Sequence, residues 1–103
     1  MTGITETAKC LHLVARSSSN VIESCGAYCD EQDEVLFVDD GVMHLVSEQG
    51  ESGDASVKNG IYLAMDLAAR GLMGIAREAG VRIASDRDFV RLLRQHESCL
   101  TWK

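Results

Sequence analysis

The sequence lacks the features that would direct it to a membrane, to the cell exterior or onto a nucleic acid. No apolar run approaches the ~20 residues that span a bilayer. The first nine residues have neither a basic start nor an apolar stretch, so we expect no secretory signal peptide. The formal net charge of −6 opposes binding to a phosphate backbone. We therefore predict a cytoplasmic protein without membrane contact and without direct contact to nucleic acid.

Recognisable metal, disulfide and nucleotide motifs are also missing. Cys25 and Cys29 form C-x3-C instead of the C-x2-C of zinc knuckles and thioredoxin-type pairs, and Cys10 and Cys99 are isolated. Cytoplasmic thiols stay reduced, and no glycine-rich phosphate fingerprint is present. We predict no disulfide framework and no cofactor. A metal could be bound only if the fold brought distant residues together, and the candidates are Cys10, His12, Cys25, Cys29 and His44. Their spacing in the sequence does not predict a metal centre.

What the sequence does contain is an alternation of apolar strands and amphipathic helices. Residues 1–8 are polar and predict a loose tail, and residues 9–103 predict a single domain. Strands are predicted at residues 10–15, 35–38, 61–65, 81–84 and 99–102. Helices are predicted at residues 21–29, 42–46, 67–79 and 85–96, with a loop at 48–58. Gly71 and Gly74 are expected to break the third helix, with Asp66 as its cap and Gly80 as its end.

This alternation predicts βαβ units with right-handed crossovers. The uninterrupted apolar run at residues 35–38 is typical of a strand covered on both faces, which favours a parallel sheet. We predict an α/β fold, with a mostly parallel sheet of about five strands and helices on both faces. Ligands gather beyond the carboxyl ends of such strands, so residues 16–20, 39–41 and 65–66 are the places where we expect a site.

Most chemically interesting side chains also have an ordinary structural interpretation. Cys25 falls in the apolar stripe of Val21, Ile22 and Tyr28, as a buried helix cysteine would. Cys29 lies one turn later and is expected to pack beside it. Cys10 and Cys99 are expected in the core, His12 in the core or at an interface, and His44 in a more exposed position. Asp39 and Asp40 are expected to form a turn instead of a magnesium or receiver site. Trp102 is expected either to pack internally or to anchor a partner.

Several segments together resemble the DsrH/TusB family of small sulfur-relay subunits, a branch of the DsrE/DsrF/DsrH-like group. The resemblance runs from Leu11 to Trp102. It is carried by Leu11-His12-Leu13-Val14, Glu23-Ser24-Cys25, the strand at 35–42 ending in Asp-Gly-Val, Asp66-Leu67-Ala68-Ala69-Arg70-Gly71, Asp88-Phe89-Val90-Arg91-Leu92, His96 and Trp102. The chain departs from the family where Arg16-Ser17-Ser18-Ser19 replaces a Ser-Pro pair, and it contains no proline.

The resemblance implies a single flavodoxin-like domain that assembles with two homologous subunits, one DsrE/TusD-like and one DsrF/TusC-like, into a heterohexamer. Such complexes pass persulfide sulfur to a downstream acceptor protein, either toward wobble 2-thiouridine in tRNA or in dissimilatory sulfur oxidation. The principal acceptor cysteine belongs to a partner subunit, and Cys25 is the candidate persulfide carrier here. The alternatives are a non-catalytic structural subunit of that complex and a receiver-like binding domain.

Overall fold

Five parallel strands form the centre of the fold in the residues that the structure describes, which are 9–29, 32–46 and 60–103. The structure is a computed structural model. The strands are β1 (Cys10–Val14), β2 (Glu34–Phe37), β3 (Ile61–Leu63), β4 (Arg82–Ala84) and β5 (Ser98–Trp102). The helices are α1 (Ser19–Tyr28), a 3₁₀ helix (Asp39–Val46), α2 (Ala64–Ala69), α3 (Met73–Ala79) and α4 (Asp86–Gln95). The predicted tail at 1–8 and loop at 48–58 lie outside the described residues.

The strand order β4-β3-β2-β1-β5 explains how the helices are distributed. The chain adds β2, β3 and β4 on one side of β1 and then returns to place β5 on the other side. Because crossovers are right-handed, the helix that precedes β5 must cover the opposite face from the earlier helices. In flavodoxin the strand order is 2-1-3-4-5, and the direction in which strands are added reverses between β1 and β3. In this chain the reversal lies between β1 and β5.

Side chains alternate between the two faces and build one hydrophobic cluster on each. One cluster joins Val14 and Phe37 to Ile22 of α1 and Ala76 of α3. The other joins Leu11, Leu36, Ile61, Leu63 and Ala84 to Leu92 of α4. The prediction of an α/β fold with a parallel sheet of about five strands and helices on both faces is therefore confirmed.

Most predicted elements are found, and the differences lie at their boundaries. The strand predicted at 61–65 ends at Leu63, and α2 already begins at Ala64, so the expected capping role of Asp66 is wrong. Gly71 has φ +70 and separates α2 from α3, but Gly74 lies inside α3 and breaks nothing. Gly80 ends α3 in the left-handed conformation, as predicted.

The two longest helices begin at serines whose side chains cap them. The Ser18 hydroxyl accepts a hydrogen bond from the Val21 backbone N–H at the start of α1. Ser85 and Asp88 form a reciprocal capping box at the start of α4, and the hydrogen bond from the Ser85 backbone lowers the pKa of Asp88. None of the helices formed by the described residues has the length and apolarity needed to cross a bilayer.

Candidate functional site

Helix α1 places the two neighbouring cysteines against the sheet. Ser18 starts the helix, so Cys25 lies about two turns in, and Cys29 is the residue that ends it. The Cys29 backbone leaves the helix in an extended conformation while its N–H still donates to the Cys25 carbonyl at 3.1 Å. The two Sγ atoms are 3.9 Å apart, and the two cysteines do not form a disulfide. The expectation that the two side chains meet on one helix face is confirmed.

Cys25, the candidate persulfide carrier, lies within the hydrophobic core. Its exposed fraction is 0%, and it packs in the cluster that contains Ile22 and Phe37. Burial, followed by the neighbouring Cys29, raises the pKa of Cys25 from 9.0 to about 12. A thiolate is the nucleophile in sulfur transfer, and this environment keeps Cys25 protonated at neutral pH. In the folded chain, Cys25 is therefore closed to solvent, and only a small fraction of its thiol is ionised at neutral pH.

A buried histidine stands opposite this pair, on β1. His12 has no exposed surface, and its Nε2 lies 2.9 Å from Asp33 Oδ2. The Trp102 indole N–H donates to His12 Nδ1 at 3.0 Å. An indole nitrogen only donates, so Nδ1 must be the acceptor and Nε2 must carry the proton that it donates to Asp33. These two partners fix His12 as a neutral imidazole of defined tautomer.

Three of the four cysteines gather around His12. A ring nitrogen of His12 and the sulfur atoms of Cys25 and Cys29 all lie within 4.8 Å of one another. Cys10, His12 and Asp33 form a second group of the same size, in which Asp33 Oδ1 also accepts the Cys10 backbone N–H at 3.0 Å. We call these five residues the thiol–imidazole cluster.

Sequence reasoning did not find the thiol–imidazole cluster as a unit. His12 was interpreted as a core or interface residue, and its burial fits the core interpretation. Nothing in the sequence pairs His12 with Asp33, because their contact arises only when β2 aligns beside β1. Tyr28 was assigned to the apolar stripe, but it is 63% exposed and lies over the rings of His12 and Trp102.

Two other predictions about exposure are wrong. His44 is buried, because its ring stacks on Phe37 with centroids 5.0 Å apart, and it lies outside the thiol–imidazole cluster. Cys99 was expected in the core, but it is exposed on β5. The sheet has no strand beyond β5 among the described residues, which leaves that strand open on one side.

The acidic pair after β2 forms an ion-pair network. Arg70 Nη2 bonds Asp39 Oδ1 and Asp40 Oδ1, each at 2.8 Å, and these bonds raise the pKa of Arg70. The Asp66 carboxylate accepts the backbone N–H of Asp39, whose φ is +52. The network joins two segments that carried the family resemblance. It supports the turn interpretation, since both carboxylates already hold a guanidinium that a magnesium ion would have to replace.

Gly41 completes this turn for a steric reason. A Cβ at this position would lie 1.9 Å from the carbonyl oxygen of Val14 and 2.8 Å from its carbon. That oxygen also accepts the Val38 N–H, so it cannot move away without loss of a sheet hydrogen bond. The glycine of the Asp-Gly pair is thus required by close packing between the ends of β1 and β2.

A cleft of about 490 Å³ opens at the carboxyl ends of β1, β2 and β5. This is where the strand order reverses and where sequence reasoning expected a site. The cleft is lined by Ala15, Arg16, Ser17, Ser18, Asp39, Asp40 and Lys103. None of the thiol–imidazole cluster lines it, so the expected cleft and the candidate sulfur chemistry are in different places.

The chain belongs to the DsrH family. The family model described as "DsrH like protein" matches residues 16–99, which is most of the chain. A comparison with curated proteins returns no match. Membership of this family indicates a role in sulfur relay and implies partnership with other sulfur-relay subunits.

Proposed function

We propose that this chain is a subunit of a cytoplasmic sulfurtransferase complex that passes persulfide sulfur. Its partners are two homologous subunits of the DsrE/TusD and DsrF/TusC types in a heterohexamer, and a downstream protein accepts the sulfur. The complex serves tRNA wobble thiolation or dissimilatory sulfur oxidation. Family membership carries this proposal, because it assigns sulfur relay to the chain.

Within this proposal, Cys25 remains the candidate carrier, and Cys29 provides the route to it. Cys29 is half-buried, and its sulfur lies 3.9 Å from that of Cys25. In each step, the thiolate of the accepting cysteine attacks the outer sulfur of a persulfide and forms a new S–S bond. The S–S bond of the donor breaks, and the donor's cysteine sulfur leaves as a thiolate and takes a proton. Sulfur accepted on Cys29 passes to Cys25 in the same way, without exposure of the core.

One observation favours a second candidate function. The burial of Cys25 and its pKa of about 12 suit a packing residue better than a nucleophile. The chain would then be a non-catalytic subunit whose role is to complete the complex. A receiver-like function has less support, because Arg70 occupies both carboxylates of the acidic pair.

Intact-mass analysis separates these functions. The reduced chain is incubated with a persulfidated donor protein, and peptide mapping locates any added sulfur. We expect native chain to gain the mass of one sulfur atom, Cys25→Ser to hold it on Cys29, and Cys29→Ser to gain none. Cys99→Ser is the matched control, because Cys99 is exposed and lies outside the cluster, and it should behave as native. If native chain gains no sulfur while a partner subunit does, the structural function is correct.

Assembly and pathway need separate measurements. Co-expression with the two homologous subunits should yield a stable complex on size-exclusion chromatography, and an uncomplexed monomer would contradict the heterohexamer. Deletion of the gene should then lower either 2-thiouridine in tRNA or the rate of sulfur oxidation, which assigns the pathway.

A further inference from the structure

The thiol–imidazole cluster has the chemical composition of a site for a soft divalent metal. Two thiols and one imidazole converge from α1 and β1, with their ligand atoms within 4.8 Å of one another. Thiolate and imidazole are the ligands that zinc selects. The sulfur-relay role uses the cysteines but assigns nothing to the buried His12 or to Asp33.

The spacing of the two sulfur atoms fits tetrahedral zinc. Zinc–sulfur bonds of ~2.3 Å at a tetrahedral angle place two thiolates about 3.8 Å apart. Cys25 Sγ and Cys29 Sγ are 3.9 Å apart, so no change in the helix is needed to bring them to that separation. The break at Cys29, which ends α1 and continues in an extended conformation, places its thiol beside that of Cys25.

The hydrogen bonds of His12 indicate which nitrogen would bind. Nδ1 is the ring nitrogen with a lone pair, which accepts the Trp102 indole N–H, since Nε2 carries the proton donated to Asp33. A metal on Nδ1 leaves the Asp33 bond intact, and a carboxylate on the far nitrogen is the usual support of a metal-bound histidine. The metal takes the place of the Trp102 indole N–H, so binding must move or reorient that side chain.

We propose that Cys25, Cys29 and His12 Nδ1 bind one Zn²⁺, with water in the fourth position. Both thiols lose their protons to solvent when the metal enters, and no electron is transferred. Two thiolates and a divalent ion carry no net charge together, so the filled site places no uncompensated charge in the core. The zinc site uses the same two thiols as the proposed sulfur transfer, so bound zinc makes both thiols unavailable as sulfur carriers and one chain cannot do both at once.

The first test uses the tag-free, reduced, full-length chain after removal of metal with a chelator. We expect native mass spectrometry to detect one zinc per chain at one equivalent of Zn²⁺. Co²⁺ in place of zinc should give thiolate-to-metal charge-transfer absorption. Trp102 is the single tryptophan, so its fluorescence should change with the same stoichiometry. Absence of the charge-transfer absorption would overturn the proposal without any variant.

Variants then locate the ligands. Cys29→Ser should abolish one-equivalent binding, whereas Cys99→Ser should bind as native because that thiol is exposed and is not one of the proposed ligands. Asp33→Asn should weaken zinc affinity about 10- to 100-fold, as loss of a supporting carboxylate does at other metal sites. Circular dichroism checks that each variant is folded. Equal affinity in Cys29→Ser and native chain would refute the site.

The sulfur-transfer and zinc-binding experiments can contradict either proposal without contradicting the other. A chain that takes up zinc but accepts no sulfur when metal-free retains the metal site and loses the carrier role. A chain that accepts sulfur but binds no zinc retains the carrier role and loses the metal site.

Discussion

Alkylation kinetics test the burial of Cys25 directly. The pKa of this thiol rises from 9.0 to about 12, which lowers its thiolate fraction below pH 9 about a thousandfold. Only the thiolate reacts with iodoacetamide at an appreciable rate. The buried sulfur is also out of reach of the reagent unless α1 opens. We therefore expect Cys25 in the folded chain to react at least about a thousandfold more slowly than in the urea-unfolded chain.

The assay is a time course of alkylation at pH 8, quenched and mapped by peptide mass spectrometry. Each cysteine gives its own rate, so the chain contains its own references. Exposed Cys99 should react fastest, although partial burial raises its pKa as well, and half-buried Cys29 should be slower. The order of rates should disappear in urea, where all four thiols have similar environments.

A rate for folded Cys25 within tenfold of that for Cys99 would refute this reasoning. It would mean that α1 opens often enough to expose its core-facing side, and sulfur would then have direct access to Cys25. The same time course on the assembled complex would test whether partner subunits open the helix. Faster reaction of Cys25 in the complex would support direct transfer to it.

Three further predictions concern stability. Gly41→Ala should lower the free energy of unfolding by about 3 kcal/mol, because the added methyl group would overlap the Val14 backbone. Gly74→Ala should raise the free energy of unfolding by about 0.5 kcal/mol, because nothing lies within 4 Å of the added methyl group and alanine favours the helix. Urea titration measures both changes. Asp33→Ala should cost about 3 kcal/mol by leaving the buried imidazole and a backbone N–H without their acceptor, and a loss below 1 kcal/mol would contradict the hydrogen-bond geometry. Stability should fall as the pH rises above 9, because Cys25 and Tyr62 have pKa values raised to about 12 and ionise earlier in the unfolded chain. The double variant Cys25→Ala, Tyr62→Phe should show a flatter pH dependence in the same titration.

The fold could be predicted well because each element carries its own local signal. The apolar run of β2 and the capping box of α4 identify a strand and a helix without reference to the rest of the chain. The boundary between β3 and α2 was misplaced because residues 61–68 fit both a strand and a helical face. Asp66, in the first turn of α2, also makes a contact that local sequence does not show, because its carboxylate accepts the backbone N–H of Asp39, 27 residues away in sequence.

The candidate site could be predicted only in part, since its contacts are long-range. The meeting of Cys25 and Cys29 follows from helical spacing, and the burial of Cys25 follows from the apolar stripe. The arrangement of Asp33 and Trp102 around His12 depends on which strands are neighbours, and strand order has no signature in a single sequence. For that reason, the sequence predicts His12 as a core or interface residue but not as the centre of a cluster.

The pairing of β1 with β5 also determines when the chain can finish folding during its synthesis. The hydrogen bond between Trp102 and His12 joins residues 90 positions apart, and β5 occupies one side of β1 along its whole length. While the ribosome is still making α4, β1 has a bare edge and His12 lacks its indole partner. Domains are synthesised from the N-terminus at ~5–20 residues per second, so this edge is exposed to other chains for several seconds. Another chain made nearby would find β1 open during that interval, and premature pairing there is a hazard for the nascent chain.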